Sequence, residues 1–223
     1  MDVLSGVDIV AGYSTYIELI RPLIGDKKII STGMTKELER VEAAIELARN
    51  GRSCAIVSSG DPGIYAMAGL VFETCKLKNI PIAPSQSCPA DGTTLLVEVV
   101  PGIPALCAGA SLLGAPLTHD FAVISLSDLL TPWEIIEKRL EAAATPAVAV
   151  GLAHPHRPKR NAQRDCAQRI VLEYRDKQTP VGIVVGAMRE NQDVRIVPLE
   201  KLDQTHVDMQ TTVFVGSSAS GRY

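Results

Sequence analysis

The chain has 223 residues, 46% of them apolar, 21% charged and 4% aromatic, with a net charge of −3 near neutral pH. This is the composition of a globular protein of one large or two small domains, and its acidic balance excludes a general nucleic-acid binder. Five scattered cysteines without a C-x-x-C pair exclude a disulfide scaffold and a zinc ribbon, no apolar run reaches the roughly 18–20 residues of a membrane span, and the opening Met1-Asp2-Val3-Leu4-Ser5 lacks signal-peptide character, so the expected location is cytoplasmic.

Strand and helix patterns then alternate. Val7–Ala11 is a β-branched run closed by Gly12, followed by a helix over Tyr13–Leu23 and a short strand over Lys28–Ser31. Thr35–Asn50 carries the clearest helical period. Leu38, Val41, Ile45 and Ala48 share one face, Thr35 caps the start, and Asn50-Gly51 supplies the stop. Ser53–Ser58 reads as a central strand that runs through Ser59-Gly60-Asp61-Pro62-Gly63 into a helix over 64–78. Residues 79–94 read as irregular, and Leu95–Val100 as a strand ending at Pro101-Gly102-Ile103-Pro104, where the prolines mark a domain boundary.

Beyond it, Ala105–Leu113 is a helix of small residues, with Leu112, Leu113 and Leu117 expected in the core. Phe121–Ser125 is a strand. Pro132–Ala144 is a helix with Thr131 as its cap and Pro132 in its first position. Ala147–Leu152 is a strand, Pro158–Tyr174 a basic helix and Val181–Val185 a strand. Val194–Val197 and Thr211–Val215 are expected as an antiparallel end to the sheet. The pattern predicts two α/β halves, residues 1–101 and 102–223, each a sheet flanked by helices with a cleft between them.

Chemistry is sparse. The 58–64 loop joins a buried strand to a helix, where open α/β sheets bind ligands. Asp61 there suits ribose hydroxyls or a positive cofactor, and equally a tight turn whose aspartate caps the helix. No G-x-x-x-x-G-K-[ST] phosphate loop is present. His154-Pro155-His156 lacks a third ligand at metal spacing, so no metal is expected. Arg157, Lys159, Arg160, Arg164 and Arg169 form either a solvated basic face or a site for a polycarboxylate. No Ser/His/Asp or Cys/His set stands out and no general base is named. That fits a reaction whose cofactor carries the reactive group.

Three segments resemble the tetrapyrrole methylases: Ser31-Thr32-Gly33-Met34-Thr35-Lys36-Glu37, Val57-Ser58-Ser59-Gly60-Asp61-Pro62-Gly63-Ile64-Tyr65, and Val97-Glu98-Val99-Val100-Pro101-Gly102-Ile103. The block from Gly114-Ala115-Pro116-Leu117-Thr118-His119-Asp120 through Leu129-Leu130-Thr131-Pro132-Trp133-Glu134 is similar to the branch that methylates precorrin-3B at C-17. Thr179–Val184 and Asp208–Val213 are similar to it as well. The resemblance implies a two-domain α/β enzyme of cobalamin biosynthesis with S-adenosylmethionine in the interdomain cleft. It implies C-17 methylation of a precorrin-3B or cobalt-precorrin-3 macrocycle with ring contraction, and a homodimer.

Carried over by motif, Gly60, Asp61, Ile64, Pro104, Ala105, Ala153 and Ala187 line the cofactor. Arg157, Lys159, Arg160 and Arg164 are expected to meet the carboxylates of the macrocycle. The family's first strand and G-x-G-P-G loop, ahead of the position of Val7, have no counterpart in this sequence, and its L-Y-N-P appears as Leu152-Ala153-His154-Pro155. A catalytically impaired tetrapyrrole-binding paralogue is the alternative that these departures support.

Overall fold

The computed structural model describes residues 3–87, 92–129, 131–155 and 162–221. It divides into two compact units, Met1–Pro104 and Ala105–Tyr223. No helix among the described residues is long and apolar enough to cross a membrane.

In the first unit, β1 (Ile9–Tyr13) is flanked in parallel by β2 (Lys28–Thr32) and β3 (Cys54–Val57). Parallel pairing on both sides buries Ile9, Val10 and Ala11 almost completely. Helix α1 (Ser14–Ile24) covers one face, with Val10, Ile17 and Ile24 as its core. Helices α2 (Glu37–Arg49) and α3 (Met67–Leu77) cover the other, around Val41, Ile45 and Cys75. A second parallel pair, β4 (Ile82–Pro84) and β5 (Leu95–Val97), adds Leu95 to that cluster.

Helix α2 is rotated from its expected face. Val41, Ala44 and Ile45 are buried together with Arg40, while Leu38 is 52% exposed. Thr35 is not the cap. It sits at φ +66°, Lys36 takes the cap position, and the Thr35 amide donates to Glu37 Oε1 at 3.2 Å. The stop is as expected: Gly51 has φ +75°, and the Arg52 amide reaches back to the Leu47 carbonyl.

In the second unit the sheet order is β6-β7-β10-β8-β9, from β6 (Phe121–Ser125), β7 (Ala149–Ala153), β8 (Pro180–Val185), β9 (Asp193–Pro198) and β10 (Thr211–Val215). β6 and β7 are parallel, and β9 forms the expected antiparallel edge. β10 does not. It inserts between β7 and β8, antiparallel to both, because all five of its residues need cover on both sides.

Helices α5 (Trp133–Ala143) and α6 (Ala162–Leu172) cover one face. Pro132, rather than Thr131, is the N-cap of α5, and no side-chain bond supports it. Helix α4 (Ala105–Leu112) covers the other face, with Leu112, Leu113 and Leu117 packed on its core as expected. The sheet makes room with glycine. A Cβ on Gly151 would lie 2.7 Å from Leu106 Cδ1, and one on Gly182 would collide with Leu113.

Candidate functional site

β1, β2 and β3 are mutually parallel, so Tyr13, Thr32 and Val57 end on the same edge of their sheet. Ligands bind at such carboxyl edges in open α/β sheets. Two loops there are fixed by specific contacts. Asp61 Oδ1 accepts from the Gly63 amide at 2.8 Å, and Oδ2 accepts from the Gly102 amide at 3.0 Å. The carboxylate thus clamps the loop after β3 to the loop after β5. The two backbones touch so closely that a Cβ on Gly102 would collide with the Gly60 carbonyl oxygen. This clamp, with Tyr65 at φ +51°, holds residues 58–66 as a loop and delays α3 to Met67. Asp61 therefore does not cap the helix. Gly60 is exposed at φ +76° and Ile64 is 44% exposed, so the loop presents its backbone to solvent.

Beside it lies a charged residue of α2 that the fold buries. Arg40 is 2% exposed. Its Nε donates to Thr32 Oγ1 at 2.8 Å and its Nη2 to the Gly33 carbonyl at 3.3 Å, while Nη1 faces Met67 Sδ at 3.7 Å. A guanidinium on neutral partners ties the end of β2 to the start of α3.

In the second unit, β6, β7 and β8 run in one direction and end at Ser125, Ala153 and Val185. Ala153 and Ala187 are half-buried at this edge, and Ala105 is exposed at the start of α4. Next to Ala153, His154 Nδ1 lies 2.9 Å from Ser125 Oγ, which also accepts from the Ser127 amide at 3.3 Å. The His154 side chain is exposed, yet the protein around it disfavours the imidazolium and pulls its pKa below the ordinary histidine value. His154 and Met188 adopt positive φ, at +54° and +61°, which costs a non-glycine residue energy. Such strain gathers at functional edges. Sequence reading weighed His154 only as half of a metal pair and missed Ser125, because their meeting depends on β6 pairing with β7.

The basic group divides. Arg157, Lys159 and Arg160 lie outside the described residues. Arg164 is a correction: it is 3% exposed and faces inward. Its Nη1 and Nη2 donate to the Thr205 and Asp203 carbonyls at 2.6 and 2.8 Å, and its Nε donates to Asp165. It fastens α6 to the 3-10 turn Leu199–Gln204 and is not placed to meet a substrate. Among the described residues, no group of three His, Cys, Asp or Glu side chains is arranged to hold a metal. The cavity of about 60 Å³ lined by Leu113, Pro180, Gly182 and Phe214 lies at the opposite, amino end of β8.

Residues 1–203 match the family described as Tetrapyrrole (Corrin/Porphyrin) Methylases. The chain belongs to this family. Among related tetrapyrrole methylases, the cobalt-factor III methyltransferase of Priestia megaterium is 45% identical over 97% of this chain, which spans 38% of that protein's length. The probable cobalt-factor III C(17)-methyltransferase of Salmonella typhimurium is 41% identical over 99% of this chain and 86% of its own length. The crystal structure of the methyltransferase CobJ superposes with a TM-score of 0.85 at 32% identity, covering 99% of this chain and 87% of that one. The tetrapyrrole-methylase fold of two α/β units is thus shared across proteins of this family.

Proposed function

We propose that this tetrapyrrole methylase is an S-adenosylmethionine-dependent C-methyltransferase. Its substrate is a precorrin-3B or cobalt-precorrin-3 type macrocycle, methylated at C-17 with ring contraction in cobalamin biosynthesis. The observation that carries the reading is identity above 40% along nearly the whole chain to two cobalt-factor III methyltransferases.

The residues at the carboxyl edges fit the cofactor. Bound S-adenosylmethionine supplies an electrophilic methyl group on a cationic sulfonium. The donor set suits such a ligand: an exposed glycine backbone at Gly60 with one carboxylate beside it. A carboxylate has about four lone-pair sites. The two amides take two of them, which leaves capacity for a ribose hydroxyl. Of the residues proposed to touch the cofactor, Gly60, Asp61, Ile64 and Pro104 belong to the first unit, and Ala105, Ala153 and Ala187 to the second.

Asp61 acts on binding more than on rate. A carboxylate beside a cationic cofactor would hold the bound state at least as firmly as the transition state. The Gly63 and Gly102 amides moderate that effect by sharing the negative charge. Arg157, Lys159 and Arg160 are the basic residues of the sequence that suit the macrocycle's carboxylates. The protein acts as a homodimer, which light scattering on the purified chain checks.

The test is a single-turnover assay with methyl-labelled cofactor and cobalt-factor III, read by mass spectrometry of the macrocycle. One added methyl group at C-17 is expected, and no label in the macrocycle overturns the reading. Calorimetry with S-adenosylhomocysteine tests the site separately. Gly60→Val places a branched side chain where the ligand approaches, and an unchanged affinity would remove Gly60 from the site.

A further inference from the structure

We propose that Gln210 and Asn191 are positioning residues for cofactor binding: they lock the β8–β9 turn that carries Ala187, so that its backbone stands in place before the ligand arrives. The proposal rests on the function proposed above. It gives a role to the Asp208–Val213 segment, a part of the family resemblance that lies outside the set of cofactor contacts.

Residues 186–192 join β8 to β9. That is longer than the roughly 2–5 residues usual for a hairpin loop, and such a loop needs bonds of its own to hold one shape. Here it has them. The buried Gly186, at φ +54°, donates its amide to the Gln210 carbonyl at 3.1 Å. The Arg189 amide returns to the Gly186 carbonyl at 2.9 Å, and the Gln192 amide to the Arg189 carbonyl at 3.1 Å. Met188, strained at φ +61°, has its amide fixed on Gln192 Oε1 at 2.9 Å. Asn191 Nδ2 donates to Gln210 Oε1 at 2.7 Å. Only glycine fits at 186, since a Cβ there would lie 2.5 Å from Asn191 Oδ1.

Gln210 is fixed from its own side. Thr211 starts β10 opposite Val185, the last residue of β8. Its hydroxyl donates to Asp208 Oδ1 at 2.8 Å and accepts from the Asp208 amide at 2.8 Å. The same Asp208 oxygen accepts from the Gln210 amide at 2.8 Å. Gln210 is therefore anchored to the sheet and grips the neighbouring turn at two points, Gly186 through its carbonyl and Asn191 through its side chain.

The residue so held is Ala187. It is half-buried, and among the described residues its own amide and carbonyl take part in no hydrogen bond. An unused backbone donor and acceptor at the carboxyl edge of a strand suit a ligand. Fixing them beforehand spares the ligand the cost of ordering the turn. The Asn191 and Gln210 side chains are exposed, so their bond adds little to global stability and acts on the placement of Ala187.

The experiment uses the full chain and three variants: Gln210→Ala, Asn191→Ala and the double substitution. Calorimetry with S-adenosylhomocysteine is expected to show each single variant binding about three- to tenfold more weakly, the net worth of one hydrogen bond. The double variant is expected to lose no more than the weaker single, because both changes remove the same bond. Melting temperatures are expected to stay within about 2 °C of the parent, as for exposed side chains. With cobalt-factor III as methyl acceptor, KM for S-adenosylmethionine rises by the same factor while kcat holds within about twofold; a loss of folded protein would instead lower kcat at constant KM. Single variants that bind within about twofold of the parent overturn the inference. So do losses that multiply in the double variant, or an affinity that falls in step with the melting temperature. Gly60→Val separates the two readings. If it weakens binding and Gln210→Ala does not, this inference alone fails. If the parent binds no S-adenosylhomocysteine, the cofactor site fails and this inference falls with it.

Discussion

Arg175 is the sharpest test of how the second unit is held together. The residue is 6% exposed, and among the described residues its guanidinium faces six backbone carbonyl oxygens and no carboxylate. Nε donates to Ala144 at 2.9 Å, Nη2 to Ala143, Thr145 and Val148 at 3.1, 2.9 and 2.6 Å, and Nη1 to Gly216 at 2.5 Å. Two of these carbonyls, Ala143 and Ala144, end α5, where the helix has no internal donors left for them and its dipole favours a cation. The others belong to the segments entering β7 and leaving β10. One cation thus joins a helix end to two strand ends, and burial pulls its pKa down without neutralising it.

Arg175→Met keeps most of the aliphatic volume and removes every donor. Each hydrogen bond to a charged group is worth about 1.5–3 kcal/mol net. The five close ones do not add, because neighbouring carbonyls relax together and water reaches some of them. Removing one side of a buried charged network costs about 3–5 kcal/mol. At about 4 °C per kcal/mol for a unit of this size, the melting temperature falls by ~12–20 °C. Arg175→Lys keeps the charge but not the fork, and falls between the two. Calorimetric melting of the three proteins is the assay. Arg175 lies at the amino end of β7, away from Ser125 and His154, so S-adenosylhomocysteine affinity at 20 °C, a temperature chosen as roughly that of maximum stability, is expected to survive. A melting temperature for Arg175→Met within about 3 °C of the parent would refute the argument that these carbonyls depend on Arg175.

Two further outcomes follow from the first unit. Gly102→Ala drives a Cβ into the Gly60 carbonyl, so the Asp61 clamp must open; calorimetry is expected to show at least tenfold weaker S-adenosylhomocysteine binding, about 1.4 kcal/mol, and unchanged affinity would mean the clamp does not shape the site. Asp8 accepts from the Ser53 amide at 2.9 Å and the Ser53 hydroxyl at 3.1 Å, and the amide bond, the larger cause, holds its pKa below the ordinary carboxylate value. A depressed folded pKa gives stability that is present above the unfolded pKa of about 3.9 and lost as pH falls through the folded value. Asp8→Asn should therefore lower the urea midpoint at pH 6 and matter progressively less on acidification below about pH 4; a difference that stays constant with pH would count against the pairing.

Local sequence determined the elements whose cause is local. Phe121–Ser125 and Thr211–Val215 are strands over those very residues because dense β-branched and aromatic runs sit between turn residues. Asn50-Gly51 ends α2 because glycine reaches the left-handed conformation without cost. The family motifs, including the Gly60-Asp61 loop, are contiguous and were legible for the same reason.

Tertiary structure decided whatever depends on a partner distant in sequence. β4 exists only through its pairing with β5, since Ile82-Ala83-Pro84 has no strand signal of its own. The last strand, β10, lies in the middle of its sheet because full burial requires neighbours on both sides, and only β7 and β8 supply them. Arg164 was read as part of a solvated basic face or a carboxylate site, whereas the carbonyls of Asp203 and Thr205 turn it inward. Asp61 was read as a helix cap or a ligand contact, and became a clamp once Gly102, 41 residues away, reached it. Ser125 and His154 are 29 residues apart and carry no shared motif. The parallel register of β6 and β7 brings their ends together, and register is set by the packing of whole strands rather than by either residue.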